Sequence, residues 1–451
     1  MEDGRVLAAG PIPSAPPVHV APAFTDAHCH LLWTGSKLVR PDLSACGGGG
    51  RLLEAVGAAA EAGEGILRAE GWDESEWTDP TLPTLAEMDS AAAGRPVFAT
   101  RACGHAALVN SAMLSMLTER FPGLTPAGAV VTEEPVLRFQ ETFPPSRTEL
   151  RAALAAASEL AGSCGVTGMS SVEGPAGAGF LLEEPPEHLR ISVYVHAEDP
   201  SGWPGPVRGS VSIRGAKLFL DGAFGARTCA IEGVFPDGTS GMLTMEPGRL
   251  AELVEASWEA GLEPMLHAIG ARALAMASSL PVPPGRSMRI EHAEQLEPVW
   301  PGTWTPGAHR FSMQPNFVRR WQGPGGLYES LLPAGQARRL NPFGLVERAG
   351  FDLGFGSDGM PFGPLYGLQG ATAHTSPDLS LDRAAALRAY TYGSSAISGL
   401  EPGSPGPGGL ADLVLLDGDP MRTPWDELAV VATLSGGETA WEAPGWEGVT
   451  G

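Results

Sequence analysis

Two histidines in the stretch "TDAHCHLL", His28 and His30, are separated by one residue within an apolar run. The two-residue period of a strand turns both to one face and Cys29 to the other. Paired imidazoles of this kind can grip one cation, and an HxH at the end of a strand is a metal signal. Asp26 shares their face, where a carboxylate can orient a ring, although a turn or helix contact would serve it equally well. His267 closes "PMLHA", His292 closes "RIEHA" and Asp358 closes "GFGSD". Each alone has an ordinary packing explanation. Four histidines and an aspartate at corresponding ends of separate apolar runs are harder to attribute to packing.

A further candidate is Lys217, inside "RGAKLFLDG". The 451-residue chain holds 29 Lys and Arg, of which only Lys37 and Lys217 are lysines. A surface cation could readily have been arginine, so position 217 points to a need for an amine. A buried ammonium gives up its proton far more easily than a guanidinium. The neutral amine can add carbon dioxide to form a carbamate, an anion able to bridge two metal ions. The competing reading is a lysine paired with Asp221 or another carboxylate.

The elements that would position these residues are short apolar runs bounded by Gly, Pro or polar residues, alternating with Ala-, Leu- and Glu-rich segments of helical spacing. Strands are predicted over 21–32, 165–172, 190–197, 211–220, 263–268, 287–293, 310–315 and 352–358. Helices are predicted over 147–164 and 247–262, the second ending at a glycine suited to a C-terminal cap. Eight strands alternating with helices predict an α/β fold, a (β/α)8 TIM barrel, with His28, His30, His267, His292 and Asp358 at one mouth and Lys217 within the fourth strand. The interval of about 35–147 is too long for one crossover and predicts an inserted subdomain within a barrel spanning 21–399. After a turn-rich stretch, β-type runs without following helices predict a small β-sandwich from residues 1–20 and 400–451, with "GRVLAAG" as a candidate edge strand.

Composition bounds the partners. The formal charge of −23 disfavours nucleic acid and anionic membrane surfaces, while a divalent metal or a neutral small-molecule substrate is not opposed by it. Five widely spaced cysteines without a CxxC pair indicate neither a disulfide framework nor a cysteine zinc site and suit a reducing cytoplasm. The N-terminus lacks a basic head followed by an apolar run, and no stretch is long enough to span a bilayer. Association into a homo-oligomer is left open.

In order along the chain, "FTDAHCHLLWTG", "GWDESEWTDPTLPTLAEMDSAAAGRPVFATRACGHAALVNSAML", "GAKLFLDGAFGARTCA", "LHAIGARAL", "RIEHAEQL", "SMQPNF", "GFGSDGMPFGPLYGLQGATA" and "LRAYTYGSSAISGL" resemble the amidohydrolase superfamily, and within it the subgroup of N-substituted formamide deformylases and exoenzyme-regulatory-protein-like hydrolases. The resemblance implies one or two metal ions, usually Zn2+. His28 and His30 would bind the more buried ion, Lys217, carbamylated, would bridge, and His267 and His292 would hold the second. Asp358 would be the last ligand and the proton shuttle. His105 would reach the substrate from the inserted segment, with Trp72 and Asp73 of "GWD" as companions and Arg227 of "GARTCA" at the entrance; ordinary packing explains these equally well.

The implied reaction is metal-dependent hydrolysis of an amide-like C–N bond, such as that of an N-substituted formamide. Cyclic amides, phosphoesters and a non-catalytic barrel that keeps its metal site are the alternatives. Relatives commonly carry aspartate where this chain has Ala271, which leaves the substrate open.

Overall fold

The structure, a computed structural model, describes residues 4–7, 18–74, 77–102, 106–124, 127–132, 134–197, 199–359 and 361–446. Sixteen strands run through the described residues. They are β1 (His19–Pro22), β2 (Phe24–Cys29), β3 (Leu67–Trp72), β4 (Val97–Arg101), β5 (Ala106–Val109), β6 (Val130–Thr132), β7 (Val166–Glu173) and β8 (Arg190–His196). The second half adds β9 (Val211–Phe219), β10 (Glu263–Ala268), β11 (Met288–His292), β12 (His309–Met313), β13 (Asp352–Phe355), β14 (Leu413–Leu416), β15 (Val430–Ser435) and β16 (Glu438–Glu442). The chain divides into two compact units, residues 33–156 and the remainder.

The larger unit is built on an eight-stranded parallel sheet in the order β13-β12-β11-β10-β9-β8-β7-β2. Chain order equals spatial order, as successive right-handed β/α crossovers require. The edges meet through the Asp358 N–H, which donates to the His28 carbonyl at 2.7 Å. Gly356 makes that approach feasible, since a Cβ there would stand 2.3 Å from the His28 nitrogen. Each predicted barrel strand is present, with ends differing by a few residues.

The barrel interior is polar at its centre. Arg289 is fully buried; it donates to the Ala27 carbonyl at 2.6 Å, to Ser170 Oγ at 3.0 Å and to Tyr194 Oη at 3.2 Å, and pairs with Glu291 at 3.0 Å. Tyr194 in turn donates to Glu263 at 2.8 Å. Gly215 leaves room for the Tyr194 ring, which a Cβ would meet at 2.5 Å. The helix Pro247–Glu259 ends as its sequence indicates, with Gly261 at φ 75°.

Both ends of the chain feed a four-stranded antiparallel sheet, β1-β14-β15-β16. An edge strand of it is His19–Pro22, whereas residues 8–10 of "GRVLAAG" lie outside the described residues. Arg5 bridges Leu410, Gly4 and Val6 exchange backbone hydrogen bonds with Gly408, Gly409 and Ala411, and Val6 is buried with Ala411, Leu413 and Leu415.

The unit 33–156 carries its own mixed sheet, β3-β4-β5-β6, with β3 and β4 parallel and the other pairs antiparallel. Leu52, Val56, Met88, Val97 and Leu108 form a core on it. Capping boxes at Thr84–Glu87 and Ser146–Glu149 start two of its helices, each satisfying otherwise orphaned N–H groups.

Candidate metal centre

His28 lies near the end of β2 and His30 just beyond it, where the next turn is pinned by Ser171 Oγ and Glu173 Oε1 accepting from the N–H groups of Leu31 and Leu32 at 3.0 and 3.1 Å. Asp358 follows β13 at φ 55°. Its Oδ1 stands 3.3 Å from His30 Nε2 and 3.5 Å from His28 Nε2. Potential ligand atoms of these three residues all lie within 4.8 Å of one another. Tetrahedral ligation at about 2.1 Å separates ligand atoms by roughly 3.4 Å, so the two measured spacings suit a single divalent ion.

The buried imidazoles are held neutral, with defined tautomers. Glu291 is fully buried; burial alone would raise its pKa, but Arg289, His28 and Lys217 hold it well below the usual carboxylate range. His28 Nδ1 is in short contact with that carboxylate, so Nδ1 carries the hydrogen and Nε2 keeps its lone pair. Gln314 Oε1 fixes His292 likewise, at 2.8 Å from Nδ1. At His267 it is Nε2 that donates, to the Gly222 carbonyl at 3.0 Å, so Nδ1 is the unprotonated nitrogen.

Burial drives the His267 pKa down to about 3 and lowers those of His28 and His292. The ring of His292 lies 4.9 Å from that of His28 and 4.5 Å from that of His267. His292, Ala293 and Asp358 all have positive φ, an uncommon backbone state for non-glycine residues and one that clusters at functional sites.

Lys217 is fully buried, with Nζ 3.4 Å from His28 Nε2 and 5.1 Å from the centre of the Phe219 ring. Burial lowers its pKa to about 8 against the pull of Glu291 and Asp358. Pairing with Asp221, the competing reading, does not occur. That carboxylate accepts from the backbone N–H groups of Ala230, Ile269 and Gly270 at 2.9, 3.0 and 2.8 Å, and fastens the turn after β10. Asp26 takes the second of its two expected roles, the turn contact. It accepts from His28 N at 3.0 Å and from Ser357 N and Oγ at 3.1 and 2.6 Å, so it ties β2 to the end of β13, while Glu291 orients the ring.

Three imidazoles with assigned lone pairs, a carboxylate and a buried amine form a nitrogen and oxygen donor set that fits a borderline divalent cation such as Zn2+. Glu291 and Gln314 are absent from the sequence reading. The signal for the first is "MRIEH", where charges at 289 and 291 alternate with buried apolar residues on a strand buried on both faces.

Of the residues expected at the substrate, Trp72, Asp73 and Arg227 are among the described positions. Trp72 is 1% exposed in the core of the 33–156 unit and donates its indole N–H to the Ala99 carbonyl at 2.7 Å, so the fold uses it as packing. Asp73 pairs with Arg101 in the same unit. Arg227 lies on an exposed loop and pairs with Asp237 at 3.2 Å. His105 lies outside the described residues. Ala271 opens the helix Ala271–Ser278, its N–H donating to Gln295 Oε1 at 3.0 Å.

Comparison with known proteins gives a consistent answer. YtcJ of Bacillus subtilis (strain 168), an amidohydrolase-type protein, is 28% identical over 462 residues, covering 89% of this chain and 84% of its own. The protein LONG AFTER FAR-RED 3 of Arabidopsis thaliana is 26% identical, covering 93% and 82%. A metal-dependent hydrolase of Pyrococcus horikoshii OT3 superposes with a TM-score of 0.77 at 27% identity, covering 91% of this chain and 88% of that one. Since the amidohydrolase family model matches residues 18–440, nearly the whole chain, this protein belongs to the amidohydrolase family.

Proposed function

We propose that this protein hydrolyses an amide-like C–N bond of a small uncharged molecule, an N-substituted formamide or close relative, with His28, His30, Lys217, His267, His292 and Asp358 holding one or two Zn2+ ions. The observation that carries this reading is the meeting of His28, His30 and Asp358 ligand atoms within 4.8 Å. Bound there, a divalent metal would lower the pKa of a coordinated water from 15.7 to about 7 and polarise the carbonyl under attack. Asp358, held far below the usual carboxylate range by the three surrounding histidines although burial opposes it, is ionised and placed to take a proton from the attacking water. Passing that proton to the departing nitrogen returns the carboxylate to its starting state. Glu291 and Gln314 keep the imidazoles turned toward the centre.

Lys217 supports the reading in a second way. Its amine is buried next to His28, and no carboxylate lies within ion-pairing distance of it among the described residues. Addition of carbon dioxide to the neutral amine, with loss of one proton, would replace an unneutralised buried cation by an anionic ligand. Arg227 is the described cation proposed for contact with the substrate, and the cytoplasm is the proposed compartment.

The test assays N-substituted formamides, cyclic amides and aryl phosphates side by side on protein as purified, after chelation and after zinc is restored. Formamide turnover that falls by at least about 10²-fold on chelation and in Asp358→Asn is expected. The intact mass should carry one added carbon dioxide that disappears in Lys217→Ala. Full turnover by metal-free protein would refute the metal-assisted reaction, preference for the phosphates would refute the substrate class, and an unmodified mass would refute the carbamate.

A further inference from the structure

The unit 33–156 holds a cavity of about 490 Å3, within the size range of small-molecule sites. Three of the arginines of this strongly acidic chain, Arg40, Arg68 and Arg95, stand on its wall with Glu64 and Glu149, and Val39, Ile66 and Ala152 supply apolar surface. The three guanidiniums are not equally committed. Arg95 donates from all three nitrogens to the carbonyls of Ala59, Glu64 and Gly65, each at 2.9 Å, and acts as a structural clamp.

Arg68 is 7% exposed. It gives Nε to Glu149 at 2.9 Å and Nη2 to the Phe143 carbonyl at 3.0 Å, and its guanidinium carbon lies 4.9 Å from the centre of the Phe139 ring. Its Nη1 is buried with no hydrogen-bond partner. Arg40 forms no side-chain hydrogen bond or ion pair among the described residues. Two guanidiniums on one wall, one whose charge neighbours Glu70 and Glu149 stand beyond ion-pairing distance and one with a buried idle donor, cost free energy that a bound oxyanion would recover, because buried charges require pairing. With Glu70 beside Arg40 added to the two wall carboxylates, three acids face the three arginines, and this near balance suits a monoanion better than a phosphate dianion.

We propose that this cavity is a second ligand site, sharing no lining residue with the metal centre, that takes a small monocarboxylate, its carboxylate between Arg40 and Arg68 and its short apolar body along Val39, Ile66 and Ala152. A planar carboxylate matches the fork of a guanidinium, and charge-assisted hydrogen bonds of this kind are the strong ones.

Titration calorimetry of the whole protein with hexanoate, hexanol and inorganic phosphate tests this. Hexanoate should bind, hexanol should not, and phosphate should bind more weakly than hexanoate. Arg40→Met should weaken hexanoate by about tenfold or more. Val39→Glu, which places a like charge at a half-exposed position and leaves the fold intact, should do the same, with thermal melting confirming folding. His267→Ala should leave hexanoate binding unchanged, which separates this site from the metal centre. Absence of hexanoate binding, tighter binding of phosphate, or hexanoate affinity indifferent to both cavity substitutions would overturn the assignment.

Discussion

At the scale of the residue, the candidate centre depends on side chains that stand behind the histidines, Glu291 and Gln314. Glu291 serves two neighbours at once, neutralising the fully buried Arg289 and fixing the His28 tautomer. Glu291→Gln keeps the shape, removes the charge, and leaves Arg289 uncompensated in the barrel centre. Breaking a buried pair from one side costs about 3–5 kcal/mol, and loss of an outer carboxylate behind a ligating histidine typically costs about 10–100-fold in metal affinity. Both effects are expected together, read by denaturant titration and by competition for zinc with a chelator. Unaltered zinc affinity in a folded Glu291→Gln protein would show that the carboxylate does not govern the ring. This residue also marks a limit of sequence reading. His28, His30, His267, His292 and Asp358 stand out by type at the ends of apolar runs, whereas Glu291 and Gln314 acquire meaning only from a partner 263 and 22 positions away.

At the scale of the element, eight strands were legible because apolar runs of strand length between glycine and proline punctuation have few other solutions. Their closure into a barrel was less so. It depends on Gly356, where the backbone of β2 comes within a distance that excludes any side chain. Gly356→Ala should lower stability by at least about 1–3 kcal/mol, the usual cost of overpacking, and should also weaken binding of an added divalent metal, because the displaced strand ends carry His28 and Asp358. Gly179→Ala is the matched control. It lies in the helix Pro175–Glu183 with nothing near its would-be Cβ, and replacing an interior helix glycine should stabilise by up to about 1 kcal/mol. Equal melting temperatures for the two variants would contradict the close-approach argument. At the small terminal sheet, "GRVLAAG" and "HVAP" are both short and apolar, and only tertiary pairing shows that His19–Pro22 runs along β14 while Arg5 bridges Leu410.

At the scale of the whole molecule, stability depends on pH through buried groups outside the centre. His374 is 6% exposed, accepts from the Ser376 N–H at 2.9 Å and contacts the Leu340 carbonyl through Nε2 at 2.9 Å. His309 accepts from the Thr305 N–H at 3.0 Å. Burial lowers both pKa values. The unfolded chain takes up a proton near about pH 6.5 while the folded one does not, so this contribution is complete above that pH and is lost as pH falls below it. The double variant His309→Gln, His374→Gln should therefore lose less stability than the parent between pH 7 and 5, measured by urea unfolding. A steeper loss in the variant would invert the sign and refute the assignment.

The sequence by itself determined the eight strands, the inventory of candidate metal ligands and the oddity of Lys217, because strand periodicity and residue chemistry are local properties that no later packing can change. The tertiary structure decided which imidazole nitrogen faces the centre, that Asp221 serves backbone amides and not Lys217, that Trp72 is packing, and that Arg40 and Arg68 share a cavity. Those facts depend on distances of a few ångströms between residues far apart in the chain. Hydrogen bonds and ion pairs act only at such distances, and nothing in the linear order encodes them.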